Sequence, residues 1–267
     1  VTDVVAAMFP AEGNRDGNAE LLAATGMDTL EVLARVQASD VDEATLDALR
    51  ITVDRLCSEY AYVPSEQLVI DGREWLGRVA DLRHRRLTLT QHREILTLAG
   101  WLALLVGCVE YDSGDQLGAE ATRRAALSLG REAENGEIQG WAHEMRAYFS
   151  LTTGDYRGVI SAAAAGGEVA SQHCVAVQLA THKAKAWAML GDRRRCEDAL
   201  ACGRKLVDSR PHPENVAHHF VVDQAKYDYK AMGCYRILGE DSTASTLAQE
   251  VITRTPRRPR RGVGAGR

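Results

Sequence analysis

With 267 residues, 45% hydrophobic and 26% charged side chains, the chain has material for one substantial core or one elongated repeat array, and its composition excludes a polymer disordered throughout. Residues 254–267 hold six arginines and no acid, so the overall charge of −5 divides into a basic tail and a remainder with 26 basic against 37 acidic side chains, net −11. That remainder repels phosphate backbones, and any contact with nucleic acid would have to come from the tail.

Residues 1–38 read as a weakly ordered lead-in with one short helix. Asp40-x-x-Glu43 then resembles a capping box, and Leu46, Leu49, Val53, Leu56 and Tyr60 follow at helical spacing, which predicts an amphipathic helix to about Ala61. Pro64 ends it. A second helix is expected from Ser65 to Arg85, on the spacing of Leu68, Trp75, Leu76, Val79 and Leu82, and Thr88-x-x-Gln91 opens a third. The apolar run from Ile95 to Val109 lies between Glu94 and Glu110; it is shorter than a bilayer span and fits a buried helix. No basic segment precedes an apolar one at the amino terminus, and Cys57, Cys108, Cys174, Cys196, Cys202 and Cys234 stand at unrelated spacings without a C-x-x-C. The expectation is a cytoplasmic protein with reduced, mostly buried thiols and no membrane partner.

From residue 114 onward the chain repeats itself. Gly114-Asp115, Gly154-Asp155 and Gly191-Asp192, with a looser Gly239-Glu240-Asp241, recur at intervals of 40, 37 and 48 residues. Seven residues before each glycine stand Gly107, Ala147, Ala184 and Met232; five after stand Ala119, Val159, Cys196 and Ala244; twelve after stand Ala126, Gly166, Gly203 and Val251. All but Met232 are small or short-branched, as required where two helices cross closely. Glycine ends one helix in the left-handed conformation and aspartate caps the next, so each Gly-Asp is the corner of a helical hairpin. The longest interval contains a Pro-rich insertion, "SRPHPENVAHHFVVDQ", in which only Phe220 to Val222 alternates like a strand. The class is all-α, with a repeat domain over 39–253 and a disordered Arg/Pro/Gly-rich tail over 254–267.

Small residues at these offsets around a Gly-Asp turn resemble the tetratricopeptide repeat, with a longer period than its usual form. The resemblance implies a right-handed helical-repeat superhelix, an α-solenoid, whose first helices line a concave groove. The blocks "VDRLCSEYAYVP", "LTQHREILTLAGWLALLVGCVEYDSGD", "GWAHEMRAYFSLTTGDYRGVI" and "HHFVVDQAKYDYKAMGCYRILGED" together are similar to the effector region of actinomycete XRE-type helix-turn-helix transcriptional regulators. That family carries its DNA-binding domain upstream, where only "ELLAATGMDTLEVLARV" could stand for it. Leu22 occupies the place of a small corner residue, and Asp28 and Glu31 accompany Arg35 as the one base, so the DNA-binding domain is expected to be missing here.

The resemblance also implies which positions face the groove: thirteen, ten, six and three before each turn glycine. From these, the candidate partner-binding residues are Trp101, Trp141, Glu144, Tyr148, Gln178, Lys185, Lys226, Tyr229 and Arg236, aromatic in the first half and cationic in the second. Such a gradient suits a peptide or protein partner with an apolar and an acidic end. The leading expectation is therefore a non-enzymatic binding module of a transcriptional regulator, needing no cofactor. One alternative is a nucleic-acid-binding protein that uses Arg257, Arg258, Arg260 and Arg261 of the tail, or a residual helix-turn-helix. Another is a metal-dependent enzyme at His212, His218, His219 and Asp223, if the first and last of these converge. His143-Glu144 opens like the zinc-protease motif H-E-x-x-H, but Ala147 replaces the second ligand. The terminal "GVGAGR" imitates a phosphate loop without a flanking strand and helix.

Overall fold

The computed structural model describes residues 38–254; the "ELLAATGMDTLEVLARV" stretch and the tail arginines Arg257, Arg258, Arg260 and Arg261 lie outside them. Among the described residues there are ten helices and no strand. They are α1 (Glu43–Glu59), α2 (Ser65–Leu82), α3 (Leu89–Asp112), α4 (Gln116–Glu132), α5 (Gly136–Thr152), α6 (Tyr156–Ala170), α7 (Val175–Met189), α8 (Arg193–Asp208), α9 (Gln224–Ile237) and α10 (Asp241–Arg254).

Local chemistry explains where the first helices begin and end. The cap of α1 is Asp42, not Asp40: its carboxylate accepts the Thr45 N–H at 2.8 Å. Asp40 is held by the loop after α2, accepting the Arg86 N–H at 3.0 Å while its own N–H donates to the Arg86 carbonyl at 2.9 Å. α2 stops at Leu82, before the expected Arg85, because the N–H groups of Arg83, His84 and Arg85 turn to the carbonyls three residues back. The Thr88–Gln91 capping box forms with both of its bonds.

The four repeat glycines sit at bends between helices. Gly114, Gly154, Gly191 and Gly239 have φ of 89°, 79°, 76° and 77°. The next residue's N–H reaches back five positions each time, from Asp115 to Glu110, Asp155 to Ser150, Asp192 to Trp187 and Glu240 to Tyr235, at 2.8–2.9 Å. Asp115 and Asp155 then cap α4 and α6 by accepting the N–H of Gly118 and Gly158 at 2.9 Å, and Asp192 caps α8 through Arg195 at 3.0 Å. A fifth corner of the same geometry, Glu134-Asn135, joins α4 to α5 without glycine; Glu134 carries φ 53°. Nothing lies within 4 Å of a methyl added at Gly154, so Gly154→Ala isolates the cost of the left-handed backbone. The expected loss is about 1 kcal/mol of unfolding free energy, read from urea denaturation.

Each corner closes a hairpin: α3 packs on α4, α5 on α6, α7 on α8 and α9 on α10. The first helices of successive hairpins, α3, α5, α7 and α9, also pack on one another in order, while α4 and α6 bridge to the next hairpin. The predicted small columns lie at these crossings. Ala119, Ala126, Ala147, Val159, Ala184 and Cys196 are wholly buried, and a methyl on Gly107 would meet Met145 at 2.8 Å, on Gly166 would meet Leu179 at 2.7 Å and on Gly203 would meet Tyr227 at 2.9 Å. α3, apolar along most of its 24 residues, is buried beneath α1, α2, α4 and α5.

The insertion between α8 and α9 is tied down along its length. Arg210 donates to the carbonyls of Ser171 and His173 at 3.2 and 3.0 Å. Further on, the chain reaches α1: Asn215 donates to Ser58 at 2.9 Å and the His219 N–H to the Cys57 carbonyl at 3.0 Å. Phe220 and Val222 are buried, and this alternation occurs without any ladder partner.

Candidate functional site

Two adjoining cavities open along the α5–α7–α9 layer and share Tyr148 and Lys230 in their walls. The outer one, about 430 Å³, lies between α7 and α9, with Lys185, Lys230, Arg236, Tyr148, Tyr229 and His182 among its lining residues. The inner one, about 340 Å³, is bordered by α3, α5, α7, α9, the end of α1 and the insertion; Trp141, Gln178, Glu144, Asp112, Lys230 and His219 contribute to it, with the rings of Tyr111 and Phe149.

The outer cavity is cationic. Lys185, Lys230 and Arg236 make no hydrogen bond or ion pair with any described residue, although Lys230 lies within electrostatic range of Glu144. Burial pushes the Lys230 ammonium below its ordinary pKa; Glu144 opposes this and Lys185 adds to it. Tyr148 and Tyr229, 40% and 62% exposed, present their rings at the mouth. The outer cavity exists because the repeat loosens here: Met232, the exception in the small-residue columns, and Gly233 beside it both line it, and a methyl on Gly233 would touch nothing.

Between the cavities sits a buried polar cluster. Glu144 Oε1 accepts from His182 Nε2 at 2.7 Å and from Gln178 Nε2 at 3.1 Å. Burial alone would raise the Glu144 carboxyl, but the bond and charge of His182, the charge of Lys230 and the Gln178 amide outweigh it, and the net shift is downward. Burial dominates at His182 and holds the imidazole below its ordinary value despite Glu144. Glu144 is therefore ionised and His182 neutral at pH 7, with the Nε2 proton on His182 as donor. The Glu144 anion fixes the orientation of both partners.

The aromatic end of the layer is filled by the chain itself. Phe220 lies 5.4 Å from the Trp101 ring and 5.2 Å from the Trp141 ring, centroid to centroid, and His219 stacks on Tyr60 at 3.7 Å. Trp141 is 3% exposed. Trp101 lines neither cavity; it borders a separate hollow with His218 and Phe220. Lys226 also lines neither, because its ammonium donates to the Val221 and His218 carbonyls and holds the insertion in place. The other seven groove candidates, Trp141, Glu144, Tyr148, Gln178, Lys185, Tyr229 and Arg236, all line one cavity or both.

His212, His218, His219 and Asp223 do not assemble: among the described residues no three His, Cys, Asp or Glu side chains are placed to share a metal ion. His218 Nδ1 accepts the Phe220 N–H at 3.2 Å, and Asp223 caps α9 through Lys226 at 2.8 Å. Glu144, the acid of the truncated H-E-x-x-H, finds its histidine on α7 instead of one turn along α5. Sequence reasoning missed His182 and Lys230. Both stand nine residues before a turn glycine, in a column that reads Leu105, Met145, His182, Lys230; the change from apolar to polar along it was the available signal. No family model and no curated protein sequence matches the chain.

Proposed function

We propose that this chain is a non-enzymatic binding module, a tetratricopeptide-like superhelical stack similar to the effector region of XRE-type regulators, and that it takes the acidic end of a peptide or protein partner into the cationic outer cavity. The observation that carries this reading is the trio Lys185, Lys230 and Arg236 around one cavity, three cations that make no hydrogen bond or ion pair with any described residue, with Glu144 within electrostatic range of Lys230, in a chain whose net charge is negative. Three cations gathered around one cavity form a complementary surface for an anionic partner. The exposed rings of Tyr148 and Tyr229 supply apolar contact beside them. With Phe220 already between Trp101 and Trp141, the partner meets α5, α7 and α9.

Fluorescence anisotropy with a labelled library of acidic peptides bearing one apolar flank tests this. Lys185→Glu with Arg236→Glu reverses two exposed charges outside the core, and binding is expected to weaken by at least about tenfold and to fall with salt. Equal affinity in wild type and variant would move the partner elsewhere.

A further inference from the structure

The two adjoining cavities carry charge of opposite sign. Asp112 and Glu144 line the inner one and Lys185 and Arg236 the outer one, with Lys230 and Tyr148 in the walls of both. His182 joins them from within: it lines the outer cavity, and its Nε2 donates to Glu144 of the inner one at 2.7 Å. Neither carboxylate is used up by the fold. Glu144 Oε1 accepts from His182 and Gln178, but Oε2 makes no hydrogen bond or ion pair with any described residue and is not closed off from solvent; the side chain keeps 10% of its surface open. Asp112 is exposed, and the Tyr60 hydroxyl occupies only its Oδ2.

Other polar groups of the inner wall add no charge near pH 7. Burial pushes the His219 imidazole down to about 4 and the Cys108 thiol well up, so both are neutral. Rings supply much of the remaining surface: Tyr111 stacks on Phe149 at 4.0 Å and meets Tyr148 edge-on at 5.7 Å, centroid to centroid. Aromatic faces beside carboxylates favour an organic ammonium group. The Lys230 ammonium stands in the same wall, within electrostatic range of Glu144, and sets the boundary between the two fields. A simple cation in the inner cavity is repelled by Lys230, and a simple anion that passes beyond Lys230 meets Glu144 and Asp112. A molecule with one charge of each sign satisfies both sides.

We infer that the two cavities together form one site for a small zwitterion, an amino acid or a short peptide with both ends free. Its ammonium group faces Glu144 and Asp112 among the rings, its carboxylate faces Lys230, Lys185 and Arg236, and an apolar side chain lies against the inner aromatic wall. The inner volume of about 340 Å³ accommodates one aromatic side chain with its ammonium group. This rests on the outer cavity receiving a carboxylate, as proposed above, and adds the opposite end of the ligand.

The test is a protein-observed NMR titration of the full chain at pH 7 with four probes. Phenylalanine and the dipeptide phenylalanylalanine are zwitterions; the N-acetylated dipeptide lacks the ammonium group, and the dipeptide amide lacks the carboxylate. Saturable shifts with phenylalanine, the dipeptide or both are expected, with either capped form at least about tenfold weaker, and the zwitterion that binds tells amino acid from peptide. Glu144→Gln keeps an amide oxygen for His182 and Gln178 and removes the charge; Asp112→Asn removes a charge at an exposed position, away from the buried cluster, and remains a test if the first variant unfolds. The first is expected to weaken the zwitterion by about tenfold and the second by about threefold, and neither is expected to weaken the acetylated dipeptide. An acetylated dipeptide that binds as tightly as the free one would overturn the inference and leave the acidic-partner reading standing, whereas an amide that binds as tightly would remove both. No binding of either zwitterion, or an affinity unchanged in both variants, would also overturn the inference.

Discussion

Phe220→Ala is expected to lower the unfolding free energy by about 3–5 kcal/mol, the range for emptying a fully buried aromatic site. A residue in a proline-rich loop would ordinarily cost less than about 0.5 kcal/mol when truncated. The difference comes from where the insertion runs. Phe220 is 2% exposed, wedged between the indoles of Trp101 on α3 and Trp141 on α5, and its carbonyl is approached by the Cys174 thiol at 3.5 Å. Removing the ring takes away a side chain that packs against both indoles and detaches the insertion from the layer it crosses. Urea denaturation should show the loss, and tryptophan emission of the folded variant should shift to the red as the two indoles meet water. Phe220→Leu, which refills most of the volume, should recover more than half of the loss. A Phe220→Ala variant within about 1 kcal/mol of wild type would show that the insertion does not close over the tryptophans in solution.

The hairpin corners were legible because they rest on local chemistry. A glycine that must take φ near 80°, followed by an aspartate that caps the next helix, announces itself wherever it recurs, and all four glycines lie at bends. The same reasoning placed the Thr88 box and the small crossing columns. It failed where a longer-range partner competed with the local one. Asp40 was the expected cap, but the loop at Arg86, 46 residues away, holds it, and Asp42 caps the helix instead. The Glu134-Asn135 corner was invisible to an alignment on glycine because a non-glycine residue takes the left-handed conformation there.

The site was legible as a list and not as an arrangement. The groove columns brought forward seven residues that the two cavities use, because the first helices of successive hairpins pack on one another in order. They could not show that the insertion, 157 residues from its partner Ser58, returns to α1 and occupies the aromatic end. Nothing in "VAHHFVVD" marks Phe220 as a core residue except that it is large and apolar within a polar stretch. The pairing of Glu144 with His182 had no sequence signal either, since it joins columns ten and nine positions before different glycines. Burial of a carboxylate on one helix demands a donor from a neighbour, but does not name it.

Stability is expected to fall as the pH drops from about 6.5 to about 4, and His219 contributes to the fall. Burial pushes its imidazole down to about 4; Glu144 opposes this, while Lys226, His218 and Lys230 add to it. The unfolded chain takes up a proton near pH 6.5, whereas the folded chain refuses it until about 4, so the unfolded state binds more protons throughout that window. The contribution is therefore fully present above pH 6.5 and lost on acidification, to the extent of about 2–3 kcal/mol for a half-buried ring. His218 and His182, both held low chiefly by burial, act in the same direction, and Glu144 extends the loss below its own unfolded value. His219→Phe keeps an aromatic ring against Tyr60 and cannot titrate. Urea midpoints measured at pH 7 and pH 4.5 should converge in this variant relative to wild type, with about 2 kcal/mol of the acid loss removed. Because His219 and Phe220 are consecutive, protonation strains the same segment that covers Trp141, and the red shift of tryptophan emission seen on truncating Phe220 should appear in wild type on acidification before global unfolding. An acid loss of the same size in His219→Phe as in wild type would place the titrating group elsewhere and leave the insertion indifferent to pH.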